Sequence, residues 1–245
     1  MKYGEIIKLG RHRLMCGDAT KAEDVHKLVG GERVNLVLTD PPYGIKIHGN
    51  YNFRINQLTG ETRKVNPATH NVKMRGDNST DTARRHYELV RGYPGIFWGG
   101  NYVTDFLPPK KGWLVWSKRQ TLWNHSDCEL AWTNLHTCIH MYEQLWSGAC
   151  RSGSHALNPR PCVHPTQKPV ELHAQILEDF SQPGDVILDC FGGSGTTLIA
   201  CEVTGRRCLM MELSPDYCNV IINRYNTLTK GQIQFEDYPY EATEI

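Results

Sequence analysis

The last third of the chain alternates between two periods, and that alternation constrains the fold more than any other feature. An apolar run at 185–190 leads into the turn Gly192-Gly193-Ser194-Gly195. A helical pattern follows at 196–204, then a second apolar run at 207–212 and a second helical pattern at 215–228. Strands alternating with helices in this way imply parallel βαβ units, and so an α/β protein with helices packed on a mostly parallel sheet. A chain of 245 residues is long enough for one large α/β domain, or a domain with a small lobe, and for a sizeable core.

The same punctuation can be followed upstream. Asp18 or Thr20 is placed to cap a helix that runs to Leu28-Val29 and ends at Gly30-Gly31. A buried strand follows over 34–39. Thr82 to Arg91 has a helical period, and Gly95-Ile96-Phe97-Trp98 is a short strand closing on Gly99-Gly100, with Asn101 as cap of another short helix. Residues 113–116, 129–132 and 138–142 suggest successive strands, and Pro169 opens a helix that reaches Phe180. Between Ile45 and Thr80 no apolar period survives. That stretch carries Lys46, His48, Arg54, Arg63, Lys64, His70, Lys73 and Arg75 against few acids. It is too long for a plain connector, so it is either a solvated insertion or a loop that contacts phosphate. Residues 146–163, with Arg151 and Arg160, form a second such loop. The expected organisation is therefore a single domain over 1–245, with 46–80 and 146–163 as insertions.

Two constellations carry chemistry. At the end of the first buried strand stands Asp40-Pro41-Pro42-Tyr43. Two prolines fix φ and remove two N–H donors. The turn is left rich in acceptors: the Asp40 carboxylate and the carbonyls of Asp40 and Pro41, with an aromatic ring beside them. A planar group bearing an NH2, such as the exocyclic amine of a base, fits such a site. An ordinary strand-ending turn fits it too.

The second constellation is Asp189-Cys190-Phe191-Gly192-Gly193-Ser194-Gly195-Thr196, a strand end, a Gly-rich turn and a helix start. Glycines allow close backbone approach, and a helix N-terminus favours an anion. The turn lacks the Gly-Lys-Ser/Thr of a P-loop, and Leu198 stands where a dinucleotide fingerprint needs its third glycine. The next strand ends at Glu212, where an acid holds a ribose in such units. Together they suit a ligand with a ribose and a small anionic end but no pyrophosphate, and S-adenosylmethionine fits that description. A tight βα turn with a surface Glu is the plain alternative. A third piece, His164-Pro165-Thr166-Gln167-Lys168-Pro169, precedes a helix, and Thr166, Gln167 and Lys168 could bind an anion there.

Composition narrows the partners. Net charge is +1, so a nucleic-acid surface must be a local patch. No apolar stretch reaches the roughly 18–20 residues of a membrane-spanning helix, and the first residues lack a signal-peptide core. A cytoplasmic location is expected. Cys16, Cys128, Cys138, Cys190, Cys201, Cys208 and Cys218 are best explained as buried reduced thiols. Cys150, His155, Cys162 and His164 cluster in sequence but lack zinc-ligand spacings, so no metal is expected.

Taken together, these motifs resemble the amino-methylating DNA methyltransferases, which modify adenine N6 or cytosine N4. The catalytic motif comes first and the Gly-rich turn near the C-terminus, an order similar to the permuted β-group. The likeness spans roughly Leu9 to Thr229. It implies a seven-stranded, mostly parallel Rossmann-like sheet with one antiparallel strand and helices on both faces, and S-adenosyl-L-methionine as cofactor. By this resemblance Asp40, Pro41, Pro42 and Tyr43 bind and stack the target base. Asp189, Cys190, Phe191, Gly193, Gly195 and Thr196 form the cofactor loop, although the family usually has Pro at Cys190. Glu212 holds the ribose, Asp18 contacts the cofactor adenine, Asp40 borders the cofactor, and Thr166 and Lys168 close over its methionine end. Asp at the first motif position goes more often with adenine than with cytosine. The implied partner is double-stranded DNA with the target base flipped out, through a short recognition site or a homodimer. A cognate restriction endonuclease is compatible with such an enzyme. Glutamine-modifying relatives favour Asn before Pro-Pro-Tyr and place the Gly-rich turn first, so both Asp40 and the motif order argue against that reading.

Overall fold

The computed structural model describes residues 1–45, 53–55, 62–64, 77–119, 126–147, 150–154, 157–158 and 166–232. Its elements in chain order are β1 (Ile6–Leu9), β2 (His12–Cys16), α1 (Ala22–Val29), β3 (Leu36–Thr39), β4 (Phe53–Ile55), β5 (Thr62–Lys64), α2 (Asp81–Val90), β6 (Gly95–Trp98), β7 (Trp113–Ser117), β8 (Cys128–Thr133), β9 (Ile139–Glu143), β10 (Trp146–Ser147), β11 (Cys150–Arg151), α3 (Val170–Phe180), β12 (Val186–Asp189), α4 (Thr196–Val203), β13 (Arg207–Glu212) and α5 (Pro215–Thr227).

Nine of the strands form one sheet in the order β1-β2-β13-β12-β3-β6-β8-β7-β9. The strands β2, β13, β12, β3 and β6 run parallel to one another. β8 is antiparallel to both of its neighbours. The stretch from β2 to β7 is thus the expected seven-stranded sheet with one reversed strand. The structure extends it by β1, antiparallel to β2 at one edge, and by β9, parallel to β7 at the other.

Period two along each inner strand divides the core between the two faces. Leu14, Leu36, Leu38, Ile96, Trp98, Ile187 and Met210 pack with residues of α3, α4 and α5. Their neighbours Met15, Val37, Phe97, Leu188 and Leu209 pack with residues of α1 and α2. β3 is buried at all four positions, as a parallel strand covered on both sides must be.

Several local expectations need correction. Asp18 does not cap α1. Its Oδ1 accepts the Thr20 N–H at 2.9 Å, and the N-cap position is Lys21, without a side-chain cap bond. The helix does end at Gly30, in the left-handed region at φ 60°. Asn101 lies inside a 3₁₀ turn, Gly100–Tyr102, instead of capping a helix. Short antiparallel pairs, β4–β5 and β10–β11, interrupt the two segments read as loops. Cys128 and Cys138 are exposed, because they lie at or beyond strand ends, while Cys16, Cys190, Cys201, Cys208 and Cys218 are buried. Among the described residues no helix is long and apolar enough to cross a membrane, and no group of His, Cys, Asp and Glu is placed to hold a metal. His155, Cys162 and His164 lie outside the described residues, as do most of 46–80 and Arg160.

Candidate active site

The five parallel strands end along one edge of the sheet. Gly17-Asp18 follows β2, Glu212 closes β13, Asp189 closes β12, Asp40 follows β3 and Gly99 follows β6. Ligands of open parallel sheets bind outside such carboxyl ends. A cavity of about 370 Å³ lies there, within the range of small-molecule sites.

At one side of the cavity is the Asp-Pro-Pro-Tyr turn. Asp40 faces the cavity, and both of its oxygens are engaged. Oδ1 accepts the Tyr43 hydroxyl, and Oδ2 accepts the Lys168 ammonium. Lys168 is only 5% exposed, and it also meets Glu129 Oε2 at 3.3 Å. Glu129 in turn pairs with Lys118 at 2.7 Å. Burial alone would lower the Lys168 pKa, but Asp40 and Glu129 more than offset it and hold the ammonium above its ordinary value. Burial pushes the Glu129 carboxyl up, and Lys168 and Lys118 bring it below its ordinary value. The ammonium also sits 5.1 Å from the Trp98 ring centroid, a cation–π contact. Burial, then the Asp40 charge, raises the Tyr43 phenol well above its usual value, so it donates as a neutral hydroxyl.

Across the cavity, the Gly-rich turn is tied to the end of β13. Glu212 Oε2 accepts the Gly193 N–H at 2.8 Å and Oε1 accepts the Ser214 N–H at 2.8 Å. Burial raises its carboxyl pKa. Each oxygen keeps a second lone pair for another donor. Asp189, 4% exposed, accepts the Phe191 N–H at 3.1 Å and the Thr39 hydroxyl at 3.3 Å. Burial lifts its carboxyl to about 6. Gly195 takes φ 85° at the start of α4, and a Cβ there would lie 3.1 Å from Ile221. The Thr196 hydroxyl donates to the Lys168 carbonyl at 3.1 Å, joining this turn to the segment before α3.

Asp18, Asp40, Pro42, Thr166, Lys168, Asp189, Cys190, Phe191, Gly193, Thr196 and Glu212 line the cavity together. Pro41, Tyr43 and Gly195 do not line it. Gly195 shapes the turn beneath, and Tyr43 lies behind Asp40 with its ring stacked on Tyr102. Lys168, which lines the cavity, pairs there with Asp40. The lining also includes Thr20, Gln167, His173, Ser214 and Tyr217. Of these only Gln167 had a sequence signal for a site role. His173 is buried, and burial followed by the Lys168 charge lowers its pKa to about 3, so it is neutral. Among the described residues, neither amide atom of Gln167 nor Nε2 of His173 has a partner, although all three atoms are buried. Buried polar atoms are normally paired. These, lining an open cavity, are what a polar ligand would satisfy.

Comparison with known proteins bears on this geometry. A family model described as DNA methylase, of the N6 and N4 type, matches residues 109–224. The protein YubD of Escherichia coli (strain K12) is 27% identical over 231 residues, which span 84% of this chain and 86% of the relative. The DNA adenine methyltransferase YhdJ of the same bacterium is 39% identical over 61 residues, 25% of this chain and 21% of the relative. Among solved structures, the M1.HpyAVI–SAM complex superposes with a TM-score of 0.54 at 19% identity, covering 87% of this chain and 98% of that one. The cytosine-N4-specific PvuII DNA methyltransferase does so with a TM-score of 0.57 at 16% identity, covering 94% and 97%. At these identities the solved structures speak to the fold alone.

Proposed function

We propose that the chain is an amino-methylating DNA methyltransferase, and that it transfers the methyl group of S-adenosyl-L-methionine to the N6 amine of adenine in DNA. The observation that carries this reading is one cavity bordered by Asp40 and Lys168 at one side and by Glu212 and the Gly193 turn at the other. The residues fit the cofactor. Glu212 would offer lone pairs to ribose hydroxyls, Asp18, which lines the same cavity, would contact the adenine, and the unpaired Gln167 amide would offer both a donor and an acceptor to an amino-acid end. Bound S-adenosyl-L-methionine supplies a sulfonium methyl group that a neutral amine can take.

The chain's own part is binding and alignment. The target amine is a poor nucleophile because its lone pair is delocalised into the ring. Asp40 and the Pro41 carbonyl hold its two N–H bonds and favour a more pyramidal nitrogen with a freer lone pair. Lys168 fixes the Asp40 carboxylate from behind. Alignment of this kind supplies much of the rate. When the N–C bond has formed, the amine gives up one proton, to Asp40 or to water. The base must leave the duplex to reach this turn, and Tyr43 replaces part of the stacking it loses. The basic residues of 46–80, with Arg151 and Arg160, are the proposed contacts to duplex DNA. Asp at position 40 favours adenine over cytosine by the family's pattern.

The test is modification-sensitive long-read sequencing of DNA from cells with and without this protein. N6-methyladenine at a defined short motif is the expected result. N4-methylcytosine would keep the mechanism and overturn the base assignment, and no new mark would overturn the proposal.

A further inference from the structure

The proposed reaction needs the Tyr43 ring for the flipped base, yet another side chain of the protein covers that ring. Tyr102 stacks on it with ring centroids 5.1 Å apart and planes inclined by 16°. Tyr43 is firmly seated. Its hydroxyl donates to Asp40. Gly99, at φ +69°, stands so close that a Cβ there would lie 2.0 Å from the ring. Tyr102 is the looser partner. It ends the 3₁₀ turn after β6 and is 43% exposed. Among the described residues its hydroxyl has no hydrogen-bond partner. Two rings with a base between them stand about 7 Å apart, twice the 3.4 Å spacing of stacked bases. Tyr102 therefore cannot stay where it is while a base takes this face.

We propose that Tyr102 is a placeholder for the target base, covering the stacking face of Tyr43 until the flipped base displaces it. This rests on the DNA methyltransferase reading above. The exchange favours the base. A base stacked on an aromatic ring gains at least what the tyrosine pair loses. The base also brings N–H donors for Asp40 and Pro41, which Tyr102 lacks. Until then the aromatic face is kept from water.

The experiment measures steady-state transfer of labelled methyl groups from S-adenosyl-L-methionine to amplified, unmethylated genomic DNA, which requires no knowledge of the recognition site. Tyr102→Ala removes the competitor and should lower KM for DNA about two- to tenfold, the worth of one displaced aromatic pair. Tyr102→Phe keeps the ring and should keep the wild-type KM. Cofactor affinity, read by calorimetry, should not move, because Tyr102 does not line the cavity. An unchanged or raised KM in Tyr102→Ala would overturn the placeholder while leaving the methyltransferase reading intact. A wild-type protein that binds the cofactor but labels no DNA would overturn both.

Discussion

Replacing Asp189 with Asn should make the protein more stable and a poorer binder of its cofactor. Burial lifts this carboxyl from 3.8 to about 6, which corresponds to about 3 kcal/mol against the ionised form at neutral pH. The sign follows from proton binding. Between pH 3.8 and 6 the folded chain holds a proton on Asp189 that the unfolded chain has released, so this group's contribution falls as pH rises and its full cost is present above pH 6. Asn removes the charge and can keep the Oδ1 acceptor for the Phe191 N–H and the Thr39 hydroxyl. For a chain of this size the gain is roughly 6–12 °C in Tm near pH 7.5, shrinking to about a third of that at pH 4.5. His86 and His173, buried and neutral with pKa values near 4 and 3, destabilise the fold as pH falls below 6.5. They do so equally in both proteins, so the difference between the two melting curves isolates Asp189. The assay is thermal unfolding of both proteins at the two pH values, with calorimetry for S-adenosyl-L-methionine, whose affinity should drop about tenfold. A Tm difference independent of pH, or an Asn variant less stable at neutral pH, would refute the reasoning.

Four further substitutions, at three positions, test the site. Asp40→Asn should cut transfer by at least about a hundredfold with cofactor affinity within a few-fold, and an equal loss of both would remove Asp40 from the proposed role. Asp40→Ala should also lower Tm by leaving the buried Lys168 ammonium with Glu129 alone, a cost of about 3 kcal/mol. Gly99→Ala places a Cβ 2.0 Å from the Tyr43 ring at φ +69°. It should cost about 2 kcal/mol or more in urea unfolding and abolish transfer, so wild-type stability would sink the idea that Gly99 seats Tyr43. Glu212→Ala removes the acceptors of the Gly193 and Ser214 N–H groups. It should weaken cofactor binding about ten- to a hundredfold by calorimetry, and an unchanged affinity would exclude Glu212 as a cofactor contact.

The parts of the fold that could be read from sequence are those whose partners are local or purely apolar. Arg207–Glu212 forms a strand with the bounds its pattern suggested, because an unbroken apolar run between a glycine turn and an acid needs no distant information. β1 and β2 have no such local signature, for the opposite reason. His12 looks like a surface residue, yet it is fully buried. Its ring bonds Glu202 at 2.6 Å and accepts the Cys208 N–H at 2.9 Å, partners some 190 residues away. The site shows the same division. Motif residues were identifiable by type and order, but the pairing of Lys168 with Asp40 across 128 positions was not. Nor was the stacking of Tyr102 on Tyr43. Both depend on which strand ends become neighbours, and no local period encodes that.

Strand adjacency also explains why the order of motifs along the chain matters so little to the site. Asp18, Glu212, Asp189, Asp40 and Gly99 lie at or just beyond the ends of five strands that are successive in the sheet, although in the chain they run 18, 40, 99, 189, 212. With neighbouring strands about 4.8 Å apart, the row from β2 to β6 is about 19 Å long. Each position is set by lateral hydrogen bonding to the next strand and not by its sequence neighbours. The bond from the Thr39 hydroxyl to Asp189 joins the two motifs across 150 residues, where β3 and β12 lie side by side. On the proposed reading, the row places adenine, ribose, donor end, target amine and stacking ring in turn. The chain can start the sheet at either motif, because what must be preserved is the sequence of strands across the sheet. The two groups that must meet, Asp40 and the cavity beside Asp189, are kept one strand apart by the most deeply buried part of the fold.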